Sequence, residues 1–155
     1  METKITVRQA VMEDLPTLLK FEEGIIAAER PFDPTLKPGH FHYYDLAARI
    51  VAPDAAVAVA SVDNNVVASG SAIVKEASNY YSHSNYAFLG FMYVEPAYRG
   101  RSINAKIIDF LVKWSHDRGL TEIRLQVYDE NLAAIKAYER VGFRKILTEM
   151  RLTTQ

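Results

Sequence analysis

Ile5 and Val7 alternate with Lys4, Thr6 and Arg8, the period-two pattern of a half-buried strand. The period then lengthens. Leu15, Leu18, Leu19, Ile25 and Ile26 recur at helical spacing behind Asp14, an N-cap residue type, with Pro16 tolerated in the first turn; they predict a helix to about Ala28. Pro31, Pro34, Pro38 and Gly39 make a long loop. Tyr43–Val51 predicts a second, shorter helix, closed before Pro53 because the residue preceding a proline avoids the α region. Ala56–Val62 and Val66–Val74 flank Asp63-Asn64-Asn65, residues that tolerate left-handed turns, and predict a β-hairpin.

Ala87–Val94 is apolar on both alternating faces, Phe88, Met92 and Val94 against Leu89, Phe91 and Tyr93, as in a central strand covered on both sides. Pro96 closes it. Ile103, Ile107, Leu111 and Trp114 form one face of a helix and Lys106, Asp109, Lys113 and Asp117 the other, with Gly119 at its end. Glu122–Tyr128 alternates as a strand. Asn131 caps a helix carrying Leu132, Ile135, Tyr138 and Val141, stopped by Gly142 and Phe143, and a last strand is expected at about Arg144–Leu152. Hairpins mixed with crossovers predict an α/β (α+β) fold with a mixed sheet and helices on both faces.

At 155 residues the chain has the length of a single domain, 1–155, and its 49% hydrophobic content supports a real core. Lys and Arg number 18 against 19 for Asp and Glu, so there is no broad field for nucleic acid or an anionic membrane, and any anion site is local. Without cysteine there is no thiolate metal site and no Cys nucleophile, and no His/carboxylate spacing suggests a metal. The longest apolar stretch, around Ala55–Val62, falls far short of the ~20 residues of a membrane span, and the N-terminus has no apolar signal region; a cytoplasmic protein is expected.

The chemically informative stretch joins the central strand to the next helix: Glu95-Pro96-Ala97-Tyr98-Arg99-Gly100-Arg101-Ser102-Ile103-Asn104. A helix start presents unpaired N–H groups and the positive end of the macrodipole; Arg99 and Arg101 add charge, and Gly100 permits close approach. The loop matches neither G-x-x-x-x-G-K-[ST] nor G-x-G-x-x-G. From spacing alone, a phosphate cradle and an ordinary turn with two solvated arginines are equally good readings.

Val94-x-Pro96-x-x-Arg99-Gly100-Arg101-Ser102-Ile103-Asn104, followed by Asn131-x-x-Ala134-x-x-x-Tyr138-Glu139-x-Val141-Gly142-Phe143, resembles the two signature regions of the GNAT superfamily of N-acetyltransferases, in the family's order and spacing. The resemblance covers nearly the whole chain. It implies a mostly antiparallel sheet of six to seven strands with a splayed central pair, Ala87–Val94 and Glu122–Tyr128, and acetyl-CoA (coenzyme A) as cosubstrate in the gap, with no metal. The backbone of Met92 and Val94 would pair with the pantetheine arm beside Tyr93, the amides from Arg99 through Gly100, Arg101, Ser102 and Ile103 to Asn104 would hold the diphosphate, and Asn131 would contact the arm. Ser102 and Asn104 depart from the family's two small positions. Ser still presents its amide; Asn is the bulkier change.

Amine attack on a thioester expels a thiolate, and a proton donor lowers that barrier. Tyr138 lies seven residues beyond Asn131, roughly 10 Å of helix rise, so one helix reaches two places along an extended arm. The family's tyrosine at this position implies a general acid; by itself Tyr138 also fits the apolar stripe of its helix. For the acceptor, Glu22 and Glu29 share a helical stripe with Leu15, Leu18 and Ile25, and either bind or deprotonate a cationic acceptor or make a helix-end salt bridge to Arg30 or an interior hydrogen bond. Glu29, Arg30 and Phe32 with Asp33 form an acceptor lip of both charges and an aromatic wall. Tyr80, Tyr81 and Tyr86 line the acceptor, pack, or meet a second copy in a homodimer. The expected function is direct acetyl transfer to a primary amine of a small molecule. A protein N-terminal or lysine acetyltransferase and a non-catalytic acyl-CoA-binding sensor are the alternatives.

Overall fold

The computed structural model describes residues 4–155. In chain order the elements are β1 (Ile5–Gln9), α1 (Leu15–Glu29), α2 (Leu46–Val51), β2 (Ala55–Val62), β3 (Asn65–Glu76), β4 (Asn85–Val94), α3 (Ile103–Asp117), β5 (Ile123–Leu125) and α4 (Leu132–Arg140). The strands form one sheet in sequence order, β1 to β4 antiparallel and β5 parallel to β4. A parallel neighbour requires a crossover, and α3 is that crossover.

Local chemistry fixes two helix starts, α1 at Leu15 behind Asp14 as expected and α2 three residues later than expected. The Asp14 carboxylate accepts the Val11 amide at 2.8 Å and pairs with both Arg8 Nη atoms at 2.7 and 2.9 Å, so it caps the 3-10 turn at Met12–Asp14 that precedes α1. Glu22 takes the amides of Tyr43 and Tyr44 at 3.0 Å each and Asp45 takes that of Ala48, so α2 begins at Leu46 rather than Tyr43. The β2–β3 hairpin closes at Val62↔Asn65 over Asp63 and Asn64, both at positive φ as a two-residue turn requires.

The core has two halves. Ile103, Ile107 and Leu111 of α3 pack on Ala56, Ala58 and Ala60 of β2 and Leu89 of β4. On the other face Leu18, Phe21 and Ile25 of α1 and Leu46 and Ile50 of α2 cover Val57, Val59 and Phe91. The small residues let α3 sit close: a Cβ on Gly70 would stand 2.5 Å from Ile107 Cγ2 and 2.8 Å from Met92 Sδ.

Four expectations are corrected. The sheet has five strands, not six to seven. Arg144–Leu152 forms no regular element and joins no ladder, because β5, the edge it would have to extend, is only three residues long; Ile146, Leu147, Met150 and Leu152 stay 72–90% exposed. The strand expected at Glu122–Tyr128 narrows to β5, after which Tyr128 turns to donate to Asp33 Oδ2 at 2.9 Å. The faces of β4 also differ, since the β3–β4 register shifts between Ser69 and Ser71 and Phe91 takes φ 55°. That bulge resets the alternation: Leu89, Met92 and Val94 face α3, while Phe91 and Tyr93 face α1. Among the described residues, no helix is long and apolar enough to cross a membrane.

Candidate active site

The β4–β5 ladder runs only from Ala87↔Ile123 to Leu89↔Leu125, yet β4 continues to Val94. Here β5 ends, so among the described residues the edge of β4 from Gly90 to Val94 has no ladder partner on this side, and the bulge lies where that open edge begins. Its polar groups are met by side chains: Tyr44 Oη accepts the Phe91 amide at 3.1 Å, while Ser69 and Ser71 donate to the carbonyls of Phe91 (3.0 Å) and Gly90 (3.2 Å). The side chains of Met92 and Val94 pack toward α3, and the Tyr93 ring lies 4.9 Å from that of Phe21. What this end of β4 offers a ligand along the gap is its backbone.

Next comes the start of α3. Gly100 (φ 80°) and Ser102 (φ 60°) turn the chain through left-handed conformations, which cost Ser102 some strain. Ser102 makes no side-chain cap, and the first bond of the helix is Lys106 N to Ser102 O at 3.3 Å. Among the described residues, no acceptor meets the amides of Gly100, Arg101, Ser102, Ile103, Asn104 or Ala105. Ile103 is fully buried and anchors the array. Arg101 lies over the Tyr98 ring, and Arg99 Nε donates to Val94 O at 2.9 Å, tying the loop to the end of β4. A rigid row of free amides at a helix N-terminus fits a diphosphate.

A cluster of acids and phenols faces the same region. Asn131 Oδ1 caps α4 on the Ala134 amide at 3.3 Å, which leaves its NH2 group for a ligand. Burial pushes the Tyr138 hydroxyl up to about 12, with the Glu29 carboxylate and then Tyr44 adding to it. Glu29, at the end of α1, is itself raised, first by burial and then by Asp33. The Tyr43 hydroxyl offsets part of that, although it is buried without a hydrogen bond of standard geometry. Asp33 is held well below the carboxylate range, first by Thr35 and then by Tyr128, and Arg151 reaches it at 3.1 Å.

The four acceptor candidates divide. Glu22 spends both oxygens on the Tyr43 and Tyr44 amides and on His42 Nδ1, at 2.6 Å. Arg30 donates to the carbonyls of Lys37 (3.0 Å) and Gly39 (2.8 Å) and lies over Phe41, so these two residues hold the proline loop. Phe32 stacks on Tyr128, centroids 6.1 Å apart; Tyr128 bonds to Asp33 and feels the charge of Glu29, which has no ion-pair partner among the described residues. Sequence reasoning missed Tyr43, Tyr44 and Tyr128; the aromatic run Phe41-His42-Tyr43-Tyr44 in a loop was the available signal. Among the described residues, no group of three or more His, Cys, Asp or Glu side chains is arranged to hold a metal.

The model of the acetyltransferase (GNAT) family matches residues 22–143. A thialysine N-epsilon-acetyltransferase of Sus scrofa is 33% identical over 81 residues, 50% of this chain and 48% of that protein, so the match spans about half the length of this relative. A predicted acetyltransferase from Clostridium acetobutylicum, solved with acetyl-CoA, superposes with TM-score 0.75 at 18% identity, covering 97% of this chain and 96% of that one. The aminoglycoside N-acetyltransferase AAC(6')-Iy in complex with CoA gives TM-score 0.73 at 20% identity, covering 100% and 97%. At such identities the structural likenesses carry the fold. The family match, over most of the chain and across both the gap and the α3 amides, carries more: the protein belongs to the GNAT family of acetyltransferases.

Proposed function

We propose that this protein transfers the acetyl group of acetyl-CoA directly to a primary amine of a small molecule. The observation that carries the reading is the open edge of β4 beyond Leu89, tied through the Arg99–Val94 bond to a row of amides at the start of α3 that have no partner among the described residues. Fold neighbours solved with acetyl-CoA or CoA support the coenzyme. The similarity to a thialysine N-epsilon-acetyltransferase and to an aminoglycoside N-acetyltransferase supports a small amine.

When bound, acetyl-CoA supplies an activated acetyl thioester; the chain's work is to hold, orient and move protons. The amides from Gly100 to Asn104, with Arg101, receive the diphosphate. The free edge of β4 at Met92 to Val94 pairs with the amides of the arm, as an added strand would, and Asn131 NH2 meets it further along. Phe32 and Tyr128 wall the acceptor. Glu29, a carboxylate without a cation among the described residues, attracts the ammonium group and takes its proton directly or through a water. Tyr138, protonated throughout the neutral range, donates a hydrogen bond from its hydroxyl to the departing sulfur as nitrogen bonds to the carbonyl carbon and the C–S bond breaks. The chain has no cysteine to carry the acetyl group between partners, in keeping with a ternary complex.

The test is acceptor-dependent thiol release from acetyl-CoA across a broad amine panel, with mass spectrometry of the products. Small amines gaining an acetyl group is the expected result. Coenzyme binding without turnover would make the protein a sensor, and acetylation confined to peptide N-termini or protein lysines would move the acceptor to a macromolecule.

A further inference from the structure

We infer that the acceptor carries a carboxylate as well as its amine, and that Arg49 reads that carboxylate. The inference rests on the transferase reading above and names its substrate class. Arg49 lies on α2, half-buried, with its guanidinium 4.8 Å from the centre of the Tyr44 ring and one hydrogen bond, to Ser71 Oγ at 3.2 Å. None of the ion pairs among the described residues includes it. The other half-buried arginines compared with it are satisfied: Arg8 by Asp14, Arg124 by Glu122, and Arg30 by two carbonyls. A half-buried guanidinium with one side-chain hydrogen bond among the described residues keeps donors that can turn to an incoming anion.

Its position says which anion. Ser71, which Arg49 touches, donates to Gly90 O where the open edge of β4 begins. Tyr44, on which Arg49 lies, takes the Phe91 amide there and feels the negative charge of Glu29. Tyr44 is thus near both a carboxylate that has no cation among the described residues and a guanidinium that has no carboxylate among them. One small molecule bearing both an ammonium and a carboxylate complements the pair, and the planar fork of arginine matches a carboxylate at two points. A purely cationic amine leaves Arg49 unpaired and is repelled by it.

The experiment uses matched acceptors that differ by the carboxylate: lysine against 1,5-diaminopentane, and β-alanine against ethylamine. In the unmodified protein, kcat/KM should favour the carboxylate-bearing member by about 10- to 100-fold, the scale of a hydrogen bond to a charged group. Arg49→Gln should collapse that preference mainly through KM, and Arg49→Lys, which keeps the charge but not the fork, should leave an intermediate ratio. No preference in the unmodified protein overturns the inference without need of any variant. So does a preference that survives Arg49→Gln. Failure to acetylate any amine while coenzyme still binds overturns the transferase reading instead.

Discussion

A phenol that ionises near 12 is never short of its proton at neutral pH, but it is a reluctant acid. A thiolate, whose conjugate acid ionises near ~8.5, is a weaker base than this phenolate, so transfer to the sulfur is uphill and Tyr138 acts through a hydrogen bond that tightens as charge develops while the C–S bond breaks. Tyr138→Phe, which keeps the ring packed edge-on against Phe143 at 5.9 Å, should fold normally, bind coenzyme within a few-fold of the parent and lose ~10²–10⁴ in kcat. Steady-state kinetics together with a coenzyme titration check this; an unchanged kcat removes the role. Glu29 has the opposite perturbation for its type, since burial and Asp33 raise it above 4.5. An acid whose folded pKa is raised is no burden below its unfolded pKa and becomes one as pH rises through the folded value. Glu29→Gln should thus leave stability unchanged near pH 3 and raise it slightly near pH 7, by well under ~1 kcal/mol because the group is only half-buried. The same variant should remove the acid limb of the kcat/KM profile. Thermal melts at the two pH values and the pH–rate profile are the measurements.

At the scale of elements, periodicity exposed the helices well and the ladder poorly. The four-four-three stepping of Ile103, Ile107, Leu111 and Trp114 was visible because a helix buries a stripe set by its own geometry. The bulge at Gly90 and Phe91 was not, because it exists only relative to β3, and it reversed the faces read for the end of β4. Arg144–Leu152 alternates as a strand does, but alternation says nothing about whether an edge is there to receive it. In the site, the α3 loop and Asn131 were legible because their groups lie close in sequence. Tyr44 and Arg49 meet Phe91 and Ser71 only after folding, so no spacing announces them. Seating α3 depends on Gly70, where a methyl group would press on Ile107, Met92 and, at 3.2 Å, Leu111. Gly70→Ala should cost about 1–3 kcal/mol, an overpacking penalty read from denaturant midpoints. It should also weaken coenzyme binding, because lifting α3 moves the amides at its start. Loss of stability with unchanged coenzyme affinity would uncouple the helix seat from the anion site.

Across the whole molecule, the segment after α3 is lightly attached. β5 pairs with β4 over three residues, and beyond it Tyr128 and Arg151 reach back to Asp33. A coenzyme in the gap would touch β4 on one side, the β5–α4 segment on the other and the start of α3 at its far end, and the unfolded chain offers no such site. Binding should then act as a splint. At a free concentration a hundredfold above Kd the stabilisation is about 2.7 kcal/mol, which for a chain of this size corresponds to roughly 5–10 °C in Tm. Hydrogen exchange can locate it. Acetyl-CoA should slow exchange at Gly90–Val94, at Gly100–Ala105 and through α4 together. A thioester of pantetheine alone should protect the β4 edge but leave the α3 amides open, and ADP, which carries the diphosphate without the arm, should do the reverse. The two partial patterns must sum to that of the full coenzyme if one extended ligand spans both features. Protection by ADP at the β4 edge, or by the pantetheine thioester at the start of α3, would mean that the gap and the helix terminus respond as one unit and do not recognise separate parts of the molecule.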